Sequence, residues 1–369
     1  MKLLFVTDHT YPPHRVGGAE SSTHDLALTL KEHGTDVAVL AAMPTGRFRG
    51  RPGRVLRRVL GRPTLREDRC MGYPVFRSHD PAGDGDAVLS RFEPSAVIVT
   101  AGRYAPLSVP YVRRGLPMIL YLRDVELSGM GGALPRGAHV TYVSNSRFNA
   151  SRFAAVAGIE PEVIPPLVRP ELVQTDTARG RILFINPVPQ KGVDLAFRLA
   201  EERPDIPFDF VECWPLDARA RERLLARART IPNLAWKSMV NDRRRIYANA
   251  RILLAPSMWE ESWGRVVTEA HCSGIPVLAS DRGGLPESVG PGGILVRHDA
   301  PLADWREALS RMWDDQSAYA ALVAAAERHS MRSAIQPGML VDKFVAVVTA
   351  HIGRCQRQRP AVSDQVLAG

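Results

Sequence analysis

The sequence of this 369-residue chain predicts two doubly wound α/β domains facing each other across a cleft, with a final helix crossing back to the first domain. Three observations carry that expectation. Short apolar strands alternate with amphipathic helices in two successive series, the pattern of parallel sheets covered by helices. A stretch rich in proline and polar residues, from Pro161 to Gly180, separates the two series. The length also favours two cores over one.

The first series opens with the strand Leu3–Thr7, followed by a glycine-bearing loop. A helix comes next, in which Ala19, Thr23, Leu26, Ala27 and Leu30 share a face and Gly34 marks the end. Further apolar strands are expected at Val37–Ala41, Ala96–Thr100, Met118–Leu122 and Val140–Val143. The second series runs through Arg181–Ile185, Phe208–Val211, Arg251–Ala255 and Ile275–Ala279. A last helix, from about Gly338 to Ile352, gathers Leu340, Val341, Phe344, Val345 and Val348 on one stripe that needs a partner. These elements imply a first domain over residues 1–165, a linker over 166–180 and a second domain over 181–337. The final helix would cover 338–356, and 357–369 would form a disordered tail.

Composition narrows the function. The chain is 45% hydrophobic and 24% charged, which suits a globular enzyme, and no apolar run reaches the roughly 20 residues of a membrane span. Met1-Lys2-Leu3-Leu4-Phe5-Val6 runs directly into Thr7-Asp8-His9, so no signal peptide is expected. Cys70, Cys213, Cys272 and Cys355 lie far apart, which reads as thiols in a reducing, cytoplasmic compartment without zinc or disulfides. A net charge of +9, carried mostly by arginine, favours anionic partners. Nucleic acid is not expected among them, because no helix-turn-helix, zinc-finger or RNA-binding signature is present.

Two segments carry chemistry. Tyr11-Pro12-Pro13-His14-Arg15-Val16-Gly17-Gly18-Ala19-Glu20 places two adjacent glycines at a helix start, where backbone N–H groups can meet an anion. The spacing is not that of a dinucleotide-binding loop, and a plain tight turn remains an alternative. The second segment is Glu261-Ser262-Trp263-Gly264-Arg265-Val266-Val267-Thr268-Glu269-Ala270, followed by Gly274-Ile275-Pro276-Val277. Here Gly264 would open a helix and Gly274 close it. Glu261 would stand in the loop before the helix, with Glu269 roughly 7 Å inside it along the axis. One carboxylate would then serve hydroxyls on the nucleoside side of a diphosphate and the other hydroxyls on the sugar side.

Glu261 and Glu269 match the EX7E motif, and the chain resembles retaining glycosyltransferases of family 4 with the GT-B fold, two Rossmann-like domains around a cleft. Ala255-Pro256-Ser257, Asp281-Arg282-Gly283-Gly284-Leu285-Pro286-Glu287 and Gly292-Gly293-Ile294-Leu295-Val296 carry the same resemblance, which extends from about Lys2 to His351. It implies transfer of a sugar from a nucleotide-sugar donor, a UDP-hexose foremost, to a small-molecule, lipid-linked or glycan acceptor, with no metal and no cofactor. It further implies that Glu269 binds the ribose hydroxyls and that Glu261 faces the donor sugar. The backbone of Ser262, Trp263, Gly264 and Arg265 would lie along the sugar and diphosphate, with Gly17 and Gly18 against the diphosphate from the other domain. Lys191, in Asn186-Pro187-Val188-Pro189-Gln190-Lys191-Gly192, matches the lysine that neutralises the leaving phosphates, and it is one of five lysines in the chain.

Two positions depart from the pattern. Asn186 stands where most relatives have an arginine, and Arg123, in Leu120-Tyr121-Leu122-Arg123-Asp124, stands where many have a histidine near the reacting centre. Both count among the expected site residues. For Arg123, phosphate binding and contact with an anionic acceptor are both open. Asp84-Gly85-Asp86 fits a metal-binding DxD motif by letter only, because it is expected in a loop beside Pro81-Ala82-Gly83. Finally, Arg47, Arg49, Arg51, Arg54, Arg57, Arg58, Arg62, Arg66 and Arg69 are interleaved with Leu56, Val59 and Leu60. That stretch reads as a solvated loop, with contact at an anionic inner membrane face as the sharper alternative. An epimerase built on the same two-domain plan, or a nucleotide-sugar-binding protein with a weak site, are the rival readings.

Overall fold

The computed structural model describes residues 1–44, 65–214, 216–238, 240 and 242–358. Its first sheet contains β1 (Lys2–Thr10), β2 (Asp36–Ala42), β3 (Leu65–Asp68), β4 (Val75–Ser78), β5 (Ala96–Ala101), β6 (Met118–Leu122), β7 (Val140–Ser144) and β8 (Glu162–Val163). The second contains β9 (Arg181–Ile185), β10 (Phe208–Glu212), β11 (Leu234–Ser238), β12 (Ala250–Ala255), β13 (Val277–Ser280) and β14 (Gly293–Val296). The strand orders are β3-β4-β2-β1-β5-β6-β7-β8 and β11-β10-β9-β12-β13-β14. Pairing is parallel throughout except between β3 and β4. The two Rossmann-like, doubly wound domains are therefore as expected.

Both faces of each sheet are covered, which is why the central strands read as unbroken apolar runs. Leu3 and Phe5 of β1 face Leu26, Leu30 and Phe344, whereas Leu4 and Val6 face Tyr104, Leu107 and Phe153. In the second domain, Ile182 and Phe184 pack with Phe197, Trp305 and Leu309, and Leu183 with Tyr247, Val267 and Leu285. The final helix, Pro337–Gln358, returns to the first domain, where the Phe344 ring stacks 6.2 Å from both Phe5 and Tyr121. It runs two residues into the stretch expected as a disordered tail, and residues from 359 onward lie outside the described set.

Two local differences have simple causes. The strand expected from Ile275 starts at Val277, because the Gly274 and Ile275 amides bond back to His271 and Ala270 and close the preceding helix. Asp84-Gly85-Asp86 is a helix start and not a loop: Asp84 caps Gly85–Phe92 and accepts from Ser78 Oγ at 2.6 Å, while Asp86 pairs with Arg114. Of the arginine-rich stretch, Arg47 to Arg62 together with Leu56, Val59 and Leu60 lie outside the described residues. Among the described residues no helix is long and apolar enough to cross a membrane.

Candidate active site

Each sheet reverses its strand order beside its first strand, between β1 and β5 and between β9 and β12. Loops at such a reversal diverge and leave a crevice beyond the carboxyl ends of the strands. The two crevices face each other and enclose a cavity of about 430 Å³. From the first domain it is lined by His9 near the end of β1, Gly17–Glu20 after β1, Gly102 after β5, Arg123 and Asp124 after β6, and Asn145 after β7. From the second come Asn186 and Lys191 after β9, Trp214 after β10, and the run from Trp259 to Val266 after β12. Thus every expected site residue except Glu269 lines one cavity.

Glu261 and Lys191 meet at its second-domain wall. The Lys191 ammonium donates to Glu261 Oε1, which also accepts from Ser257 Oγ at 2.8 Å and Trp259 Nε1 at 2.9 Å. Burial works to raise the Glu261 carboxyl, but the Lys191 charge and these hydrogen bonds outweigh it and hold the carboxyl below its usual value. Trp214 and Trp259 flank the ammonium, their ring centroids 5.1 and 5.0 Å away. Neither tryptophan was singled out from the sequence; the signal available was their place just beyond β10 and β12.

Asn186 turns its side chain to the chain's own backbone. Its backbone is left-handed at φ 62°, a conformation asparagine tolerates, and its Oδ1 accepts from the amides of Cys213 and Trp214 at 3.2 and 2.8 Å. It therefore fixes the loop that carries Trp214. Gly264 caps the Arg265–His271 helix at φ 88°, and a Cβ there would lie 2.6 Å from Leu285. Ser262 Oγ accepts from Asn145 Nδ2 across the cleft at 2.8 Å. Trp263 also lines the cavity but is buried, its Nε1 donating to Thr268 Oγ1 at 3.0 Å.

Glu269 is bound from three sides. Arg265 Nε and Arg243 Nη1 donate to Oε1 at 2.7 and 3.4 Å, and Tyr247 OH donates to Oε2 at 2.7 Å. Arg265 and Arg243 also pair with Asp25 of the first domain, so the network joins the two halves. Contact with ribose would require Glu269 to exchange one of these partners.

On the first-domain wall, Gly17 caps the Gly18–Glu32 helix without a side chain. A Cβ on Gly17 would lie 2.4 Å from the Glu20 carboxylate, which accepts from His9 Nδ1 at 2.9 Å, whereas a Cβ on Gly18 would enter open space. Burial lowers the His9 imidazole, but the Glu20 bond and charge prevail and leave it above its ordinary value. Arg123 and Asp124 follow β6 on the same wall.

Residues 179–329 match the family profile described as glycosyl transferases group 1. The D-inositol 3-phosphate glycosyltransferase of Corynebacterium aurimucosum is 40% identical over 118 residues, 31% of this chain and 28% of that protein. Its namesake in Nocardia farcinica is 45% identical over 74 residues, 19% of this chain and 16% of that protein. The matches thus span less than a third of these curated relatives. Among solved structures, Anabaena HepE in complex with UDP-glucose superposes with TM-score 0.73 at 16% identity, covering 95% of this chain and all of that one. Sucrose-phosphate synthase from Thermosynechococcus elongatus gives TM-score 0.74 at 14% identity, covering 95% and 99%. At these identities the likeness establishes the fold, and the architecture is GT-B.

Proposed function

We propose that the chain is a retaining glycosyltransferase that moves a hexose from a UDP-sugar to an acceptor hydroxyl without a metal ion. The observation that carries the reading is the pair Lys191–Glu261 at the cleft, with the uncapped N-terminus of Gly18–Glu32 on the opposite wall. The match to glycosyl transferases group 1 over the second domain supports it, as do neighbours of the same fold solved with UDP and UDP-glucose.

In this reading the diphosphate lies between Lys191 and the Gly17–Gly18 backbone, so charge arising on the leaving phosphate meets an ammonium and helix N–H groups. The acceptor oxygen bonds to the anomeric carbon on the face from which the phosphate oxygen departs. The acceptor's proton passes to that departing oxygen, so no side chain acts as nucleophile. Glu261 holds hydroxyls of the donor sugar, and Glu269 exchanges a partner for the ribose. An assay of UDP release tests the reading, with the anomeric configuration of the product determined by NMR. Activity is expected to persist in EDTA; loss that magnesium or manganese restores would overturn the metal-free part. Interconversion of UDP-N-acetylglucosamine with no acceptor present would instead identify an epimerase.

Gly18 provides a second test. Its Cβ position is open and its φ is ordinary for an L-residue, so Gly18→Ala is expected to leave the melting temperature unchanged or raised. The added methyl would occupy space assigned here to the diphosphate, so UDP affinity measured by calorimetry should fall about tenfold or more. Unchanged affinity in Gly18→Ala would move the diphosphate away from this helix.

A further inference from the structure

Resting on the transferase reading, we infer that Arg123 anchors an anion-binding site on the first-domain wall of the cleft. Its ligand is a carboxylate or phosphate carried by the transferred sugar or by the acceptor. Arg123 is only 5% exposed yet lines the cavity. One nitrogen, Nη1, donates to the Ala19 carbonyl at 3.0 Å and to Thr23 Oγ1 at 2.6 Å. The other two, Nε and Nη2, are buried and have no hydrogen-bond partner among the described residues.

The contrast with Arg265 is instructive. Arg265 is equally buried and pairs with both Asp25 and Glu269, whereas Arg123 makes no ion pair among the described residues. Nearby carboxylates do not supply one: Glu20 is committed to His9 and Arg15, and Asp124 accepts from the Gly102 amide at 3.3 Å. A guanidinium keeps its charge at any working pH, and a buried charge without a counter-ion is costly. The side chain is also fixed in place. Its guanidinium carbon lies 3.9 Å from the centroid of the Tyr121 ring, and its backbone N–H donates to Tyr104 OH at 3.1 Å. A locked fork with two buried, unpartnered N–H groups, on a side chain that lines the cleft, is suited to a planar or tetrahedral oxyanion. The donor diphosphate is already met by Lys191 and the Gly17–Gly18 backbone in the proposed arrangement, which leaves Arg123 for a second anionic group.

The experiment compares wild type with Arg123→Gln and Arg123→Lys by calorimetry and thermal shift. The probes are UDP, UDP-glucose, UDP-glucuronate, and inorganic phosphate added to the UDP-saturated protein. If the anion is on the donor, wild type should bind UDP-glucuronate at least about tenfold more tightly than UDP-glucose, and Arg123→Gln should lose that preference. If it is on the acceptor, the two donors should bind alike, while phosphate stabilises the UDP-saturated wild type and not Arg123→Gln. In either case the glutamine variant should keep its UDP affinity within about twofold and melt near the wild-type temperature. Should it fail to fold, Arg123→Lys carries the same arms, with a weakened anion response expected from its single point charge. Equal responses of wild type and variants in every arm would overturn the proposal, as would a loss of UDP affinity matching the loss for the anionic ligand. A wild type that binds no UDP but still shows the Arg123-dependent phosphate response would sink the transferase reading and leave the anion site standing.

Discussion

Replacing Lys191 by alanine is expected to lower turnover by about 10²- to 10³-fold, the usual consequence of removing one donor from a site of developing negative charge. Lys191 faces Glu261 and stands between Trp214 and Trp259, and the other cation among the described second-domain residues that line the cavity, Arg265, is committed to Asp25 and Glu269. Arginine should restore little, because its planar fork would have to fit the space that a single ammonium occupies between two indoles. The variant also has a stability signature. In the wild type the depressed Glu261 carboxyl stabilises the fold fully above the unfolded carboxyl value of about 4.3, and this contribution is lost as pH falls through the lower folded value. Without Lys191, burial drives that carboxyl upward, so Lys191→Ala should be least stable relative to wild type near neutrality and converge on it in acid. Steady-state rates of UDP release and urea midpoints from about pH 4 to 7 test both parts. Turnover within about tenfold of wild type would remove Lys191 from the reacting centre.

The strands and the cleft were legible because their signals are local. Met118–Leu122 and Arg181–Ile185 read as strands because all or nearly all of each run is buried between helical layers. The segment from Glu261 to Glu269 could be placed at a helix start because Gly264 and Gly274 punctuate it, and both take positive φ. What escaped was made by distance. Asp25 lies 240 residues from Arg265 and 218 from Arg243, and in sequence it is one more polar position on a helix whose apolar face was already accounted for. Asn186 is an expected site residue and lines the cavity, but its left-handed backbone and its bonds to two amides of the next loop, which position Trp214, could not be read from the sequence. The free edge of Arg123 was equally invisible. Whether a buried arginine has a carboxylate opposite depends on every element around it.

The second large effect is expected at the join between the domains. Asp25 and Glu269 carry two negative charges, Arg243 and Arg265 two positive ones, and Asp25 is wholly buried. Burial raises the Asp25 carboxyl, yet the charges of Arg265 and Arg243 prevail and hold it below its usual value. Asp25→Ala would leave one guanidinium charge in surplus inside the interface. Breaking one side of a buried pair in this way costs about 3–5 kcal/mol, more than most substitutions. Arg265 also donates to the Leu167 carbonyl at 2.8 Å, in the segment leading from the first domain to the second, so the loss should be felt across the whole join. The double variant Asp25→Leu/Arg265→Met removes one charge of each sign and leaves Arg243 with Glu269, so it should recover most of the loss. Urea unfolding followed by tryptophan fluorescence measures both variants. The contribution of Asp25 should be complete above the unfolded aspartate value of about 3.9 and vanish as pH drops through the depressed folded value. A single Asp25→Ala variant within about 0.5 kcal/mol of wild type at neutral pH would show that the cluster does not hold the domains together, and equal costs for the single and double variants would show that its charges are not coupled.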